Sequence, residues 1–390
     1  MTAEDQILHS WHLLQTYVEN EHYRGFDPYD GLTSPLFNLP ILKTNHKLRF
    51  LSQQLIKRSP LNLRPLLRIE KGENPVTLGL AIQAYAESGK SVDHHENISK
   101  INKLIIKLRN HIPSGYECAC WGYDFPWEAR YAAIPAYQPT IVATGIISNS
   151  LYLAWKNLQI EEAKELVISS CHFAVNHLNR FEEPDGSFCF SYSPFDHEKV
   201  FNASMKGARL LAQGYSLTGN TLWKNLSAKS VQYVMKHQRT DGAWIYSQRE
   251  AGGWIDNYHT GYILDCLDEY IKCTGDQTYN ESLQKGFEFY LQNFIKEDGQ
   301  PKFYDQNEWP VDCTAAGQTL LTLIRFNSLE KAKIVALWMI QHMQSQKGYF
   351  YFRKYSNHLE KTSFMRWSNA WMLAGLSTLV AMINKPLPTA

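Results

Sequence analysis

The chain has 390 residues, 44% of them hydrophobic and 13% aromatic, enough for a sizeable core and long for one compact domain. Thirty-nine basic residues against 38 acidic ones leave a net charge of +1, without the basic excess of a nucleic-acid binder. The aromatic content also excludes a solvated, disordered chain.

The first ten residues are acidic and polar and lack the basic and apolar regions of a secretory signal. Residues 1–44 hold one amphipathic helix, with Ile7, Trp11, Leu14 and Val18 on one face, followed by a Pro/Gly/Asp-rich run from Tyr23 to Leu32. They are expected to form a helix and strap packed on a larger domain spanning 45–390.

Two markers recur in that domain. One is a turn with glycine two residues before an aromatic ring: Gly186 and Phe188, Gly242 and Trp244, Gly348 and Phe350, with a looser copy at Gly299. Gln238 and Gln344 precede two of these glycines at the same distance. The other marker is a helix that opens on a polar residue and carries a glycine five positions later: Asn74 and Gly79, Thr140 and Gly145, Asn202 and Gly207, Asp256 and Gly261, Asp312 and Gly317. Arg366 and Trp371 keep the spacing without the glycine.

Helices with the second marker are apolar nearly all round, as buried helices are. Between them lie helices with a charged face, expected at 45–58, 95–110, 160–179, 221–238, 279–296 and 328–345. Six apolar helices alternating with six amphipathic ones predict an all-α (α/α)6 toroid, an inner ring within an outer ring. Short hairpins are expected at Phe188–Tyr192 and Tyr349–Phe352.

Connections from inner to outer helices are short, as at 217–220 and 273–276, whereas the return connections run to about 15–30 residues. The long loops therefore gather at the inner-helix N-termini, whose free N–H groups and dipoles favour an anion such as a uronate or phosphate. Those loops supply Trp121, Tyr123, Trp127, Tyr192, Trp254, Tyr304 and Trp367 as aromatic platforms, and Asn202, Asn257 and Asp312 as polar partners. Arg130, Arg249, Arg353 and Arg366 add positive charge. Such a mixture suits pyranose rings, which stack through C–H faces and bond through hydroxyls.

Asp124 and Glu128 are candidates for the carboxylate pair of glycoside cleavage. Asp256, Tyr258 and His259 are candidates for acid–base work. The structural alternatives are helix capping by Thr140, Asn202, Asp256 and Asp312, and neutralisation of one acid by Arg130. Paired metal-ligand motifs, a phosphate loop and a nucleophile elbow are missing from the sequence, so no metal or cofactor is expected.

The runs Gln238–Trp244 and Gln344–Phe350 resemble the repeat of squalene and terpene cyclases and protein prenyltransferases, which implies a toroid. The acidic motifs of the cyclases are not present. A resemblance over most of the chain rests on Cys120–Arg130, Pro139–Thr144, Phe190–Pro194 and Trp254–Gly261. These segments look like a bacterial family found among genes for surface-polysaccharide assembly. Its members often carry the label delta-aminolevulinic acid dehydratase, which denotes a β/α-barrel enzyme, whereas this chain reads as an all-α toroid.

That resemblance implies a polysaccharide context. The expected activity is that of a carbohydrate-active enzyme on a uronate-containing or other anionic glycan, by hydrolysis, elimination or epimerisation. In elimination or epimerisation His259 or Tyr258 takes the C5 proton, and Arg130 or Arg249 neutralises the uronate. The alternatives are a non-catalytic glycan-binding or assembly factor of a polysaccharide synthesis system, and an isoprenoid cyclase-like enzyme. The expected partner is an oligo- or polysaccharide, with no nucleic acid and no membrane span, since the apolar run Trp371–Ile383 is too short. Seven scattered cysteines suit a reducing cytoplasm.

Overall fold

A computed structural model describes residues 2–59, 61–89, 94–128, 133–248 and 252–384. Its helices are α1 (Ala3–Asn20), α2 (Pro40–Thr44), α3 (His46–Arg58), α4 (Pro75–Ser88), α5 (His94–Asn110), α6 (Ile141–Leu158) and α7 (Glu161–Asn176). They continue as α8 (Phe201–Thr218), α9 (Thr221–Met235), α10 (Asn257–Thr274), α11 (Asn280–Phe294), α12 (Cys313–Arg325), α13 (Leu329–Met343) and α14 (Trp371–Ile383). Helices α4, α6, α8, α10, α12 and α14 each pack on the next, and α14 closes on α4. Helices α5, α7, α9, α11 and α13 cover the first five of them from outside. The fold is the expected (α/α)6 toroid.

Burial follows from that layering. Every residue of α6 from Ile141 to Tyr152 is buried, because neighbours press on it from both sides. The outer helix α5 buries only a stripe, Asn97, Ile101, Leu104, Ile105 and Leu108. Asn74, Thr140, Asp256 and Asp312 cap inner helices by accepting first-turn N–H groups. Helix α8 differs: Val200 occupies the cap position, which puts Asn202 inside the first turn.

The sixth outer helix is α1 and not the segment expected at 45–58. Helix α1 packs on α13 and α14 and buries Ile7, Trp11, Leu14 and Val18. The Trp11 indole donates to Ser377 Oγ at 2.8 Å. The 45–58 helix does form, as α3, but it buries only Gln53 and Ile56 and lies against β1 (Trp127–Glu128). A ring helix buries its apolar stripe against the ring, as α1 does; the leucines of α3 stay exposed. Residues 3–20 thus belong to the ring, and the strap over its mouth begins after them.

The turn repeat has a common cause. Gln238 Nε2 donates to its own turn at Gly242 O (3.0 Å) and to the next outer helix at Ser282 O (2.9 Å). Gln344 does the same to Gly348 O (2.9 Å) and Ser10 O (3.1 Å), which ties the end of α13 to α1. Gly348 has φ +93°, and a Cβ there would lie 2.4 Å from Leu13 O.

Strand β1 pairs with β2 (Ala133–Ile134), and β3 (Arg180–Glu182) pairs with β4 (Phe188–Phe190), the hairpin expected near Phe188. Strands β5 (Val311–Asp312), β6 (Arg353–Lys354) and β7 (Leu359–Glu360) form an antiparallel sheet in that order. Tyr349–Phe352 forms no named strand. Phe350 instead forms a single antiparallel bridge to Gln344 across the Gly348 turn. No helix among the described residues is long and apolar enough to cross a membrane.

Candidate functional site

At the inner-helix N-termini lies a cavity of about 240 Å³ with an aromatic wall. Tyr123, Phe125 and Trp127 enter from the loop after α5, and Tyr192, Tyr246 and Trp254 from the loops flanking α8 and α9. Helix α10 contributes Tyr258, His259 and Tyr262, and the strap contributes Tyr29. Trp367 and Arg366 come from a π-helical turn, Met365–Ala370, that runs into α14 at Trp371. Such widened turns are rare and are frequent at functional sites.

His259 places an imidazole in this wall. As the cap of α10, Asp256 accepts the His259 backbone N–H at 3.0 Å and, through Oδ2, the ring Nδ1–H at 2.7 Å. Trp254 Nε1 also donates to Asp256 Oδ2, at 2.9 Å. In the neutral ring, donation from Nδ1 leaves Nε2 with the lone pair, and no group among the described residues bonds Nε2. The imidazole sits between Tyr258 (ring centroids 4.0 Å apart) and Tyr246 (4.6 Å). Trp254, 41% exposed, stacks on Tyr246 at 4.4 Å and forms a platform at the rim.

Burial is the main cause that pushes the phenols of Tyr192, Tyr258 and Tyr262 well above their ordinary value. The Asp256 carboxylate adds to the rise at Tyr258, which therefore stays a neutral O–H at physiological pH. Two buried donors in the wall, Asn202 Nδ2 and Trp127 Nε1, have no hydrogen-bond partner among the described residues. Buried donors are normally bonded, so this pair is available to acceptor oxygens of a ligand. Arg366 is held by Asp27 in a two-point contact of 2.6 and 2.8 Å and lies 4.6 Å from the Tyr123 ring centroid.

Of the side chains singled out in the sequence, Tyr123, Trp127, Tyr192, Asn202, Trp254, Tyr258, His259, Arg366 and Trp367 line this cavity. Others serve its frame. Trp121 is fully buried and donates to Leu108 O at 2.8 Å. Asn257 donates to Lys302 O and accepts from Tyr290 and Thr319, all inside the ring wall. Asp312 accepts from Arg353 Nε at 2.5 Å and from Trp367 Nε1 at 3.1 Å, which fixes Trp367. Tyr304 bridges to the Asp256 backbone. Arg130 and Arg249 lie outside the described residues.

Asp124 and Glu128 are not brought together in this cavity. Asp124 accepts from the α4 cap residue Asn74 at 2.5 Å and lines a separate pocket with Asp27 and Asp30. Burial pushes its carboxyl up to about 6. Glu128 is buried and bonds Arg49 Nε (2.5 Å) and His46 Nδ1 (2.8 Å) of α3. Both acids fasten the strap and loops instead.

Sequence reasoning missed Tyr29, Phe125, Tyr246, Tyr262 and Trp371, which also line the cavity. Tyr262 had a usable signal, since it follows Tyr258 by one helical turn. Tyr246 follows the Gly242 turn at fixed distance. Tyr29 had none beyond its place in the Pro/Gly/Asp-rich run.

Farther along the same helices a second cavity, also about 240 Å³, shares Ile146, Tyr262 and Trp371 with the first. Its wall is charged: Lys156, Lys206, Arg209, Lys272 and Arg325 face Glu87, Asp265 and Glu269. Lys206 Nζ lies 3.5 Å from the Tyr262 ring centroid, and burial pulls it down to about 7. No group of three metal-binding side chains occurs among the described residues.

No protein-family model matches the sequence, and no curated protein matches it. Solved structures do match the fold. The cellobiose 2-epimerase from Bacillus thermoamylovorans superposes with a TM-score of 0.60 at 9% identity, over 81% of this chain and 90% of that one. A sugar epimerase from a ruminal bacterium gives 0.60 at 13%, over 82% and 91%. An unsaturated glucuronyl hydrolase specific for heparin gives 0.58 at 13%, over 82% and 90%. At such identities the likeness establishes the α/α-toroid fold that these proteins share with this chain.

Proposed function

We propose that the protein is a carbohydrate-active enzyme that moves a proton on a uronate-bearing or otherwise anionic sugar, by epimerisation or elimination. The observation that carries this reading is His259, whose Nδ1 is fixed by Asp256 while Nε2 is unbonded at an aromatic cavity. A base of that kind removes a proton from carbon next to a carbonyl or carboxylate. Tyr258 supplies a neutral O–H beside it, and Asn202 Nδ2 and Trp127 Nε1 are donors for oxygens on which negative charge develops. Rim platforms such as Trp254 take the sugar faces.

Hydrolysis by paired carboxylates has less support, because Asp124 is engaged by Asn74 and Glu128 by Arg49 and His46. The neighbours include epimerases and a uronyl hydrolase, which is compatible with sugar chemistry in this fold. The sequence resemblance to a polysaccharide-assembly family supports a glycan substrate and an association with that machinery.

The test is incubation with glucuronate-containing oligosaccharides in D2O, read by proton NMR. Epimerisation puts solvent deuterium at the reacting carbon, and elimination gives an unsaturated uronate. Release of new reducing ends with neither signature would replace this reading by hydrolysis. Binding with no turnover would favour the glycan-binding alternative.

A further inference from the structure

Residues 31–69 contain seven lysines and arginines and not one aspartate or glutamate, in a chain whose net charge is +1. The same stretch carries Leu36, Leu39, Ile41, Leu48, Leu51, Leu55, Leu61 and Leu66 as exposed side chains. These are eight of the fifteen exposed large hydrophobic residues described for the whole chain, gathered in a tenth of its length. Scattered exposed leucines need no explanation, but such a concentration does.

The inward packing of the strap does not require them. Leu32, Phe37 and Ile56, with Leu42 and Leu67, already form its own apolar cluster. On α3, a helix about 20 Å long, Leu48, Leu51 and Leu55 make a stripe on the opposite, outer face, 39%, 57% and 66% exposed. Ile41 and Leu66 extend it at 75% and 81%.

The cations divide into two sets. Arg49 is bound to Glu128, Arg64 to Asp30, and Lys57 donates to the Tyr29 phenol, all on the inner side. Lys43, Lys47, Arg58 and Arg68 are exposed and form no ion pair among the described residues. Exposed leucines and unpaired cations in one segment that holds no acid complement an apolar layer beneath negative headgroups. The core of a protein interface, by contrast, is depleted in lysine.

We propose that the strap, through α2 and α3, is a peripheral docking surface for an anionic phospholipid bilayer. Docking there holds the mouth against the membrane, because the strap supplies Tyr29 to the aromatic cavity and α3 grips Glu128 next to Trp127. A glycan carried on a lipid would then meet the cavity at the headgroup level. The proposal is independent of His259, since its test involves no turnover.

The experiment is flotation of the full chain with phosphatidylcholine vesicles and with vesicles containing about one part phosphatidylglycerol in three. Binding is expected only to the anionic vesicles and is expected to be lost at about 0.5 M salt. Lys43→Gln with Lys47→Gln should weaken it about thirtyfold, and Leu51→Ser with Leu55→Ser at least about tenfold. An unchanged melting temperature shows that the fold survives in both variants. Failure of the wild-type chain to float with anionic vesicles overturns the proposal. So does a self-associated chain that does not float and becomes monomeric on Leu51→Ser with Leu55→Ser, which makes the patch a protein interface.

Discussion

The two chambers on the toroid axis have the same volume, about 240 Å³, and share a partition of Ile146, Tyr262 and Trp371, yet their chemistry is opposite. Helix α10 shows how. One face, read down the axis, runs Tyr258 and His259, then Tyr262, Asp265, Glu269 and Lys272, in steps of three and four residues. Above Tyr262 the face is aromatic with one base; below it the face is ionic. In the upper chamber, carboxylates such as Asp256 and Asp312 sit behind the wall and orient lining side chains. In the lower chamber they are the wall, and they are occupied by a cation. Arg325 binds Asp268 at 2.7 Å and Glu269 at 2.8 Å. The upper chamber thus leaves Asn202 Nδ2 and Trp127 Nε1 unpartnered among the described residues, whereas carboxylates of the lower chamber are met by Arg325.

The largest expected effect breaks this comparison if it falls in the wrong place. His259→Gln should lower turnover about 10²- to 10⁴-fold, with the melting temperature unchanged. Lys206→Met, in the lower chamber, should leave turnover within a few-fold of wild type. If Lys206→Met instead abolishes turnover and His259→Gln does not, the chemistry belongs to the charged chamber.

The second effect concerns stability and should be confined to the lower chamber. Burial raises the Glu269 carboxyl, and the Arg325 guanidinium more than reverses this and holds it at about 2. Arg325→Met leaves Asp268 and Glu269 without that partner. Loss of one member of a buried ionic cluster costs about 3–5 kcal/mol. Urea unfolding should therefore show a large drop for Arg325→Met. A change below about 1 kcal/mol would mean that water solvates these carboxylates and the network is a surface one.

The sequence announced the upper chamber better than the lower. His259 three residues after Asp256, at a helix start, is a local pattern, and the structure keeps the two in contact at 2.7 Å. The Gly–aromatic turns were equally legible, because each is built from residues a few positions apart. What escaped was long-range closure. Both α1 and α3 read as amphipathic, and it is long-range packing on α13 and α14, such as Trp11 on Ser377 and Gln344 on Ser10, that makes α1 the sixth outer helix. The density of unusual residues around Asp124 and Glu128 reflects long-range bonding, since those acids are bound by Asn74, His46 and Arg49 from distant segments. Lys206 gave no warning. It sits inside a helix that is buried nearly throughout, where a lysine reads as an interruption.

The smallest effect sharpens the contrast at the partition itself. Burial, with Arg209 adding repulsion, pulls Lys206 from 10.5 down to about 7 in the folded chain. Between those two values the unfolded chain holds a proton that the folded chain has released, so stability rises with pH by up to one proton's worth, about 1.4 kcal/mol per pH unit. Below about pH 7 both states are protonated and the full cost of burying the charge is present. Lys206→Met removes this contribution, so the variant should gain stability relative to wild type at pH 6 and lose that advantage by about pH 10. The cation over the Tyr262 ring returns part of the cost in the wild type, which keeps the net gain to a few kcal/mol at most. Urea unfolding at several pH values measures the difference directly. A pH-independent difference between the two proteins would place Lys206 in contact with water, and the partition between the chambers would then be open rather than dry.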